Sequence, residues 1–337
     1  MVRVAINGFG RIGRLALRLM VKDKDFEVVA INTNSDAETL AYLLKYDTAH
    51  GNFMTDKITY QGDILLVDGK KILTSKVKEP ENCNWGVLDI DLVIDCTGKF
   101  NDKIKAEKHI QAGAKKVLLS APGTGDLKTI VYNVNHNILD GSETVVSAAS
   151  CTTNCLAPLA KAINDEFGIV KGLMTTVHAY TNDQNVQDNS HKKGIMARRG
   201  RAAAANIVPA STGAAAAVGI VLPELKGKLD GMALRVPTLT GSVVDLVVEL
   251  ERNTTVEEIN ASIKKASNET LAYTEDPIVS SDVIGSSYAC IFDALSTQIL
   301  EVDGKQLVKL IAWYDNEMSF TAQLVRVVKY WGSMKVQ

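Results

Sequence analysis

Gly8, Gly10 and Gly13 stand at G-x-G-x-x-G spacing, directly after the apolar run of residues 2–6 and at the head of a helical pattern over residues 11–21, with Ile12, Leu15, Leu19 and Met20 on one face. Each glycine answers a different need. Gly8 permits a tight turn, Gly10 lets the backbone approach a pyrophosphate, and Gly13 lets the helix pack closely on the strand. The helix start offers N–H groups and a partial positive charge to phosphates. A plain turn would need only one glycine. Strand placed before the motif and helix after it therefore predict an α/β dinucleotide-binding domain of Rossmann type at the head of the chain. Further apolar runs at residues 27–31, 92–96, 117–120 and 144–147 alternate with helical patterns, which implies right-handed crossovers and a mainly parallel sheet. Residues 58–74 read instead as hairpins turning at Gln61-Gly62-Asp63 and Asp68-Gly69, an antiparallel insertion.

The pattern changes after Cys151. A helix is expected over residues 156–167, with Pro158 producing a kink or a late start. Long strands at 169–178, 232–236, 243–251 and 307–314 suit a mixed or antiparallel sheet. Thr255 and Glu258 form a capping box ahead of a helix over 256–266. The last amphipathic helix is expected over 318–331, and the small-residue runs at 202–205 and 214–217 suit close helix packing. Residues 182–209 show little periodicity, and a connection of that length is usually functional. At 337 residues two domains are expected. Residues 1–150 would form the dinucleotide-binding domain, with a C-terminal helix over 317–337 returning to it, and residues 151–316 an α+β catalytic domain.

A formal charge of −2 gives no global pull toward nucleic acid or an anionic membrane. No run approaches the roughly 20 apolar residues of a spanning helix, and residues 1–6 enter a strand pattern with no leader signature. A cytoplasmic protein is expected. Five cysteines, an odd number in a chain of this size, argue against a disulfide framework. Cys151 and Cys155 have a metal-like spacing without a completing Cys/His pair, so no metal is expected.

Ser150-Cys151-Thr152-Thr153-Asn154-Cys155 joins a strand to a helix. A thiol at a helix start has its thiolate stabilised by the dipole and free N–H groups, and hydroxyl and amide neighbours distinguish Cys151 from a packing cysteine. Cys155, beside Leu156, and Cys83, Cys96 and Cys290, beside apolar or aromatic residues, read as structural. Of the five histidines, His178 ends an alternating strand and opens into a loop, a position suited equally to a base and to a satisfied core residue. His50, His109, His136 and His191 read as solvated.

The runs Ser147 to Pro158 and Thr176 to Gln184, with Ile6 to Arg14, Lys45 to Thr48, Arg201 to Ala215, Arg235 to Thr238 and Trp313 to Glu317, make the chain resemble phosphorylating glyceraldehyde-3-phosphate dehydrogenases from end to end. The resemblance implies that Cys151 attacks the aldehyde of glyceraldehyde 3-phosphate. His178 would act as base and as a cationic partner of the thiol, and inorganic phosphate would cleave the resulting thioester. It places Thr181 and Arg235 at the substrate phosphate, and Ser150, Thr152, Thr212 and Gly213 at the inorganic phosphate. Asn7, Gly8, Gly10, Arg11, Ile12, Lys78, Thr97, Ser120 and Asn316 would contact the cofactor. It also implies a homotetramer, with no nucleic acid or membrane as a primary partner.

Three positions depart from the family pattern. Phe320 stands where many relatives have tyrosine, Ser190 where NAD-specific relatives usually have proline, and Thr33 where an acid usually holds the ribose hydroxyls. Thr33 and Ser190 together point to NADP, or to dual use of NAD and NADP. Erythrose-4-phosphate dehydrogenase, which hydrolyses its thioester, is the nearest alternative. A redox-sensing or binding protein using the reactive cysteine is the alternative of another class.

Overall fold

In the computed structural model, which describes residues 1–334, the chain divides into two compact units. One comprises Met1–Ser150 and the chain from Thr321, the other Cys151–Phe320. The last residues of the expected C-terminal helix, 335–337, lie outside the described residues.

The first unit holds strands β1 (Val2–Asn7), β2 (Phe26–Asn32), β3 (Ile58–Gln61), β4 (Ile64–Val67), β5 (Lys70–Ser75), β6 (Leu92–Asp95), β7 (Lys116–Leu119), β8 (Lys128–Thr129) and β9 (Val145–Ser147). Its helices are α1 (Arg11–Met20), α2 (Ala37–Lys45), α3 (Lys103–Ala106) and α4 (Lys108–Gln111). The strands form one sheet in the order β3-β4-β5-β2-β1-β6-β7-β9-β8. From β5 to β8 every pairing is parallel, and the β3-β4-β5 meander is antiparallel. Its turns fall at the expected Gly62 and Gly69, both at positive φ. Strands β6, β7 and β9 are buried at every position, as strands covered on both faces must be. The strand order reverses between β2-β1 and β1-β6, and in such sheets ligands bind beyond the strand ends at that switch point.

The second unit begins with α5 (Cys151–Phe167), followed by β10 (Ile169–Ala179), β11 (Val208–Ser211), α6 (Ala214–Val221), β12 (Leu229–Val236), β13 (Ser242–Leu250), α7 (Val256–Ala266), β14 (Leu271–Thr274), β15 (Cys290–Asp293), β16 (Gln298–Val302) and β17 (Lys305–Tyr314). Its sheet runs β11-β12-β10-β13-β17-β15-β14, with β16 on β17. β10 is parallel to β12 and antiparallel to β13, so the sheet is mixed. The final helix, α8, spans Met318–Gly332.

Two expectations about helices change. α5 starts at Cys151 and not at 156, and Pro158 lies inside it. A proline deep in a helix removes a backbone bond. Burial of Leu156, Ala157, Leu159, Ala160 and Ile163 holds this one in place. Of the alanine runs, only the second enters an α-helix; Ala203–Ala205 is a single 3-10 turn. The capping box at Thr255 and Glu258 is present in both directions. Among the described residues, no helix is long and apolar enough to cross a membrane.

Candidate active site and dinucleotide cavity

β1 ends at Asn7, and the chain turns through Gly8 at φ +94°. A Cβ on Gly8 would lie 2.9 Å from the backbone of Cys96 and Thr97, and one on Gly13 would lie 2.2 Å from Gly8 O. Both positions therefore require glycine. A Cβ on Gly10 would meet nothing within 4 Å, because that face opens into a cavity of about 640 Å³. The cavity is lined by Asn7 to Gly10, Asn32 to Asn34, Val77 to Glu79, Cys96, Thr97, Lys99 and Phe100. No side chain caps the start of α1 and no carboxylate lies in its first turn, which leaves the positive end of the helix for an anion. A cavity of this size, glycine-walled at a helix start, fits a dinucleotide.

The sequence-predicted cofactor residues are distributed unevenly around this cavity. Thr33 and Lys78 line it as expected; Glu79 lines it too. Cys96, expected to be structural, also faces it. Asn7 lines it, but its side chain donates to Asp95 Oδ2 (2.9 Å) and accepts from Asn32 Nδ2 (2.8 Å). Arg11 forms a forked ion pair with Asp47, whose buried carboxyl is held well below the usual range: hydrogen bonds from His50 and Arg11 outweigh the opposing effect of burial. Ile12 is half-buried in the first turn of α1, and Ser120 follows β7, its N–H on Asp95 O. Ser190 lies on an exposed loop of the second unit, with its N–H on Asn189 Oδ1. Asn316 is buried, and its Oδ1 accepts from Ser242 Oγ (2.9 Å), Gly241 N (3.2 Å) and Thr240 Oγ1 (3.3 Å), which leaves only its Nδ2 end to offer a ligand. Phe320 is buried.

Two residues ahead of α5, Ala149 adopts a left-handed backbone, φ +61°, a conformation that costs a β-carbon residue about 1–2 kcal/mol. Cys151 follows as the first helical residue, partly exposed, with Sγ 3.3 Å from His178 Nε2. His178, in β10, is 3% exposed, and its Nδ1 lies 2.7 Å from Ala179 O. A carbonyl only accepts, so Nδ1 carries the proton and Nε2 presents a lone pair to the thiol. Burial, together with the Arg235 charge, lowers His178 to about 3. Burial pushes the Cys151 thiol up, against the pull of Arg235 and a hydrogen bond from Thr152. Both directions favour thiol and neutral imidazole over the ion pair. Burial thus works against the thiolate that the helix start favours and against a cationic histidine beside it.

Around this pair lie groups that the sequence left without a role. The Tyr314 hydroxyl, fully buried, lies 2.8 Å from both Thr152 Oγ1 and Thr176 Oγ1, and its ring meets the His178 ring edge-on at 6.0 Å. The Thr152 hydroxyl is thus bonded within the protein. Arg235 Nη1 donates to Thr181 Oγ1 (2.9 Å), Thr181 bonds Asp183, and Asp183 pairs with Arg199. Arg235 Nε is buried with no partner. Thr181 and Arg235 are thus brought together, with an unmatched guanidinium donor beside them. Thr212 Oγ1 accepts from Ala214 N, and Gly213 opens α6 with free space where a Cβ would stand. Ser150 directly precedes α5. Only the partners of Tyr314, Asp183 and Arg199 disclose them; in the sequence Tyr314 and Asp183 lie within family runs and Arg199 only within the aperiodic segment 182–209. Among the described residues, no group of three or more His, Cys, Asp or Glu side chains could hold a metal ion.

Of the four histidines expected in water, two have buried side chains and two are partly exposed. His109 is fully buried, the His50 side chain is 2% exposed against Asp47, His136 packs between Tyr132 and Tyr330, and His191 is half-buried.

Known proteins resolve the family. Residues 2–103 match the glyceraldehyde 3-phosphate dehydrogenase NAD binding domain, and residues 150–316 match the C-terminal domain of the same enzyme. The chain belongs to the glyceraldehyde-3-phosphate dehydrogenase family. It is 58% identical over 334 residues to the glyceraldehyde-3-phosphate dehydrogenase of Clostridium pasteurianum, covering 99% of each chain. It is 57% identical, at the same coverage, to those of Clostridium acetobutylicum and Streptococcus pyogenes. The first family match holds the glycine turn and its cavity, the second the Cys151–His178 pair.

Proposed function

We propose that the chain oxidises glyceraldehyde 3-phosphate and phosphorylates the product through a thioester on Cys151, within glycolysis and gluconeogenesis in the cytoplasm. The 3.3 Å Cys151–His178 pair, with the His178 tautomer fixed by Ala179 O, carries this reading. His178 Nε2 takes the thiol proton as sulfur adds to the aldehyde carbon, giving a thiohemiacetal. The helix start, including the Cys151 N–H, stabilises the oxyanion. The imidazolium returns that proton to the oxyanion, giving the thiohemiacetal hydroxyl, and His178 removes it again as the carbon is oxidised to the thioester. A bound nicotinamide ring supplies the acceptor for the hydride that leaves the carbon. Inorganic phosphate, held by hydroxyl and N–H groups around Ser150, Thr152, Thr212 and Gly213, attacks the thioester, releases an acyl phosphate and restores the thiol. Thr181 and Arg235 hold the substrate's own phosphate; the unpartnered Arg235 Nε matches an anion's oxygen. The test is turnover of glyceraldehyde 3-phosphate with and without inorganic phosphate. Loss of acyl phosphate formation when phosphate is withheld supports the reading, and equal turnover without it rejects phosphorolysis.

The cofactor is NADP, or NADP and NAD alike. Neutral Thr33 and Asn34, with the Lys78 cation, line the cavity where NAD-specific relatives place a carboxylate against the 2′-phosphate. Glu79 on the same wall opposes this and limits the preference. Ser190 would add a hydroxyl from a neighbouring subunit. Thr33→Asp should weaken NADP selectively, by about 1–3 kcal/mol in kcat/KM. Wild-type turnover with NAD and none with NADP would reject the assignment. The assembly is a homotetramer. The sheet of the second unit exposes Leu173, Leu300, Val302 and Leu307 on its open side, the kind of patch an oligomer buries. Asn316 offers its Nδ2 to the nicotinamide amide, and Asn7, Gly8, Gly10, Arg11, Ile12, Thr97 and Ser120 frame the remainder of the cofactor.

A further inference from the structure

Behind the dinucleotide cavity lies a buried hydrogen-bond network that the reaction does not use. Asp95, at the end of β6, and His109, in α4, are both fully buried, and neither lines the cavity. The Trp85 indole donates to His109 Nδ1 at 2.9 Å. An indole N–H can only donate, so Nδ1 holds the lone pair and the neutral ring carries its proton on Nε2. Nε2 lies 3.2 Å from Asp95 Oδ2 and donates to it. Asn7 Nδ2 reaches the same oxygen at 2.9 Å, and lies 3.3 Å from Nε2 because both donors converge there. The other carboxylate oxygen accepts Thr97 N (2.9 Å) and Thr97 Oγ1 (2.7 Å). Four donors thus surround one buried carboxylate.

The network runs on in one direction. Asn7 Oδ1 accepts from Asn32 Nδ2, and Asn32 Oδ1 accepts from Ser75 Oγ and Val77 N, each at 2.8 Å. Asn7, Asn32 and Thr97 are all cavity walls. Thr97 also packs on the glycine turn, with its N and Cγ2 at 2.9 and 3.0 Å from where a Gly8 Cβ would stand. Burial raises the Asp95 carboxyl, but hydrogen bonds from His109, Thr97 and Asn7 hold it below its ordinary value, so it stays ionised.

We propose that Asp95, oriented by His109 and Trp85, is a positioning residue for the dinucleotide: it fixes the Thr97 loop against the Gly8 turn and locks Asn7 and Asn32 into the cavity wall. This rests on the cavity being the dinucleotide site. The polarity of the network makes it vulnerable to one atom. Asn at position 95 keeps the shape but turns one end into a donor. Either orientation then points an N–H at another, at Thr97 N on one side or at Asn7 and His109 on the other. His109 cannot yield by changing tautomer while Trp85 donates to Nδ1.

The test uses the full chain, with NAD and NADP titrated calorimetrically and kcat measured at saturating cofactor. Asp95→Asn and His109→Leu should each weaken binding by roughly tenfold or more, the scale of losing a hydrogen bond to a charged group, with kcat unchanged within about twofold. His109→Gln retains an N–H that can reach Asp95, and should restore affinity to within about threefold of wild type. Wild-type affinity in folded Asp95→Asn and His109→Leu overturns the proposal, as does a fall in kcat at unchanged affinity. If those two variants fail to fold, Trp85→Phe decides: it deletes one N–H and keeps an aromatic ring. Weaker binding at constant kcat supports the proposal, and unchanged binding overturns it. A wild-type chain that binds neither dinucleotide would reject the cavity assignment itself.

Discussion

His178 and His109 are the same side chain under nearly the same burial, 3% and 0% exposed, yet their rings face opposite chemistry. Each has Nδ1 tied to one neighbour. For His178 that neighbour is a carbonyl, Ala179 O, which takes the proton and leaves Nε2 as a lone pair toward Cys151. For His109 it is the Trp85 indole, which gives a proton and leaves Nε2 as a donor to Asp95. A carbonyl makes one ring a base, and an indole makes the other a fixed donor. The ring nitrogen farther from the chemistry thus decides the role of the nearer one.

The largest effect should come from the partner of the basic ring. Cys151→Ser should lower aldehyde oxidation by about 10⁴-fold or more, since a hydroxyl is a far poorer nucleophile near neutral pH. Cofactor affinity should not move. Cys155→Ala, one turn on and fully buried, should keep most activity. A dead Cys155→Ala beside an active Cys151→Ser would exchange their roles.

His178→Asn should lower the chemical step by roughly 10²–10⁴-fold, the scale of losing a general base. Affinity for the dinucleotide should stay constant, the reverse of the split expected for His109→Leu. Should both variants change the same parameter, the two histidines do not have separate roles. As the cationic partner of the thiol that the resemblance implies, His178 would on removal leave the thiol pKa higher. Burial lowers the imidazole's pKa and so weakens that route. Alkylation at neutral pH should slow because the proton acceptor is gone.

Arg235→Ala comes next. It removes a guanidinium bonded to Thr181 Oγ1, and should cost roughly 10–100-fold in kcat/KM for the phosphorylated aldehyde. Unphosphorylated glyceraldehyde should lose much less. Equal losses on both would take Arg235 out of phosphate recognition, although Arg235 would still act on His178 and Cys151 through its charge.

The sequence showed what is local. The glycine turn, the hairpins at Gly62 and Gly69, the capping box and the Cys151 helix start each occupy a few adjacent residues, and their physics is complete within them. His178 was evenly balanced, because its role depends on Cys151, which lies 27 residues away. His109 was misread for the same reason. Its helix is four residues long and lies among lysines, so it reads as surface. Its burial depends on Trp85, 24 residues back, while the carboxylate it supports is tied to Asn7 across 88 residues. Ionisation at Cys151 was also beyond the sequence. A helix start argues for thiolate, burial argues against it, and only the packed structure shows that burial is the larger effect.

The smallest expected effect is on stability in mild acid, and it too isolates His178. Burial and Arg235 hold its pKa at about 3 in the folded chain, against 6.5 for a free imidazole. Between those two values the unfolded chain binds the proton and the folded chain does not. Stability therefore rises with pH across that window, and is lost as pH falls below about 6.5. The loss from this one group is about 1 kcal/mol at pH 6 and about 2 kcal/mol at pH 5. His178→Asn has no such proton to bind. Its melting temperature should run parallel to that of the wild type at pH 7 and 8, then fall less steeply from pH 6.5 to 5. Charges common to both chains cancel in the difference. Parallel curves throughout would mean that the folded chain binds the proton at His178 as readily as the unfolded one. The imidazole would then be cationic in mild acid, Nε2 would hold a proton there, and His178 would lose the contrast with His109 on acidification.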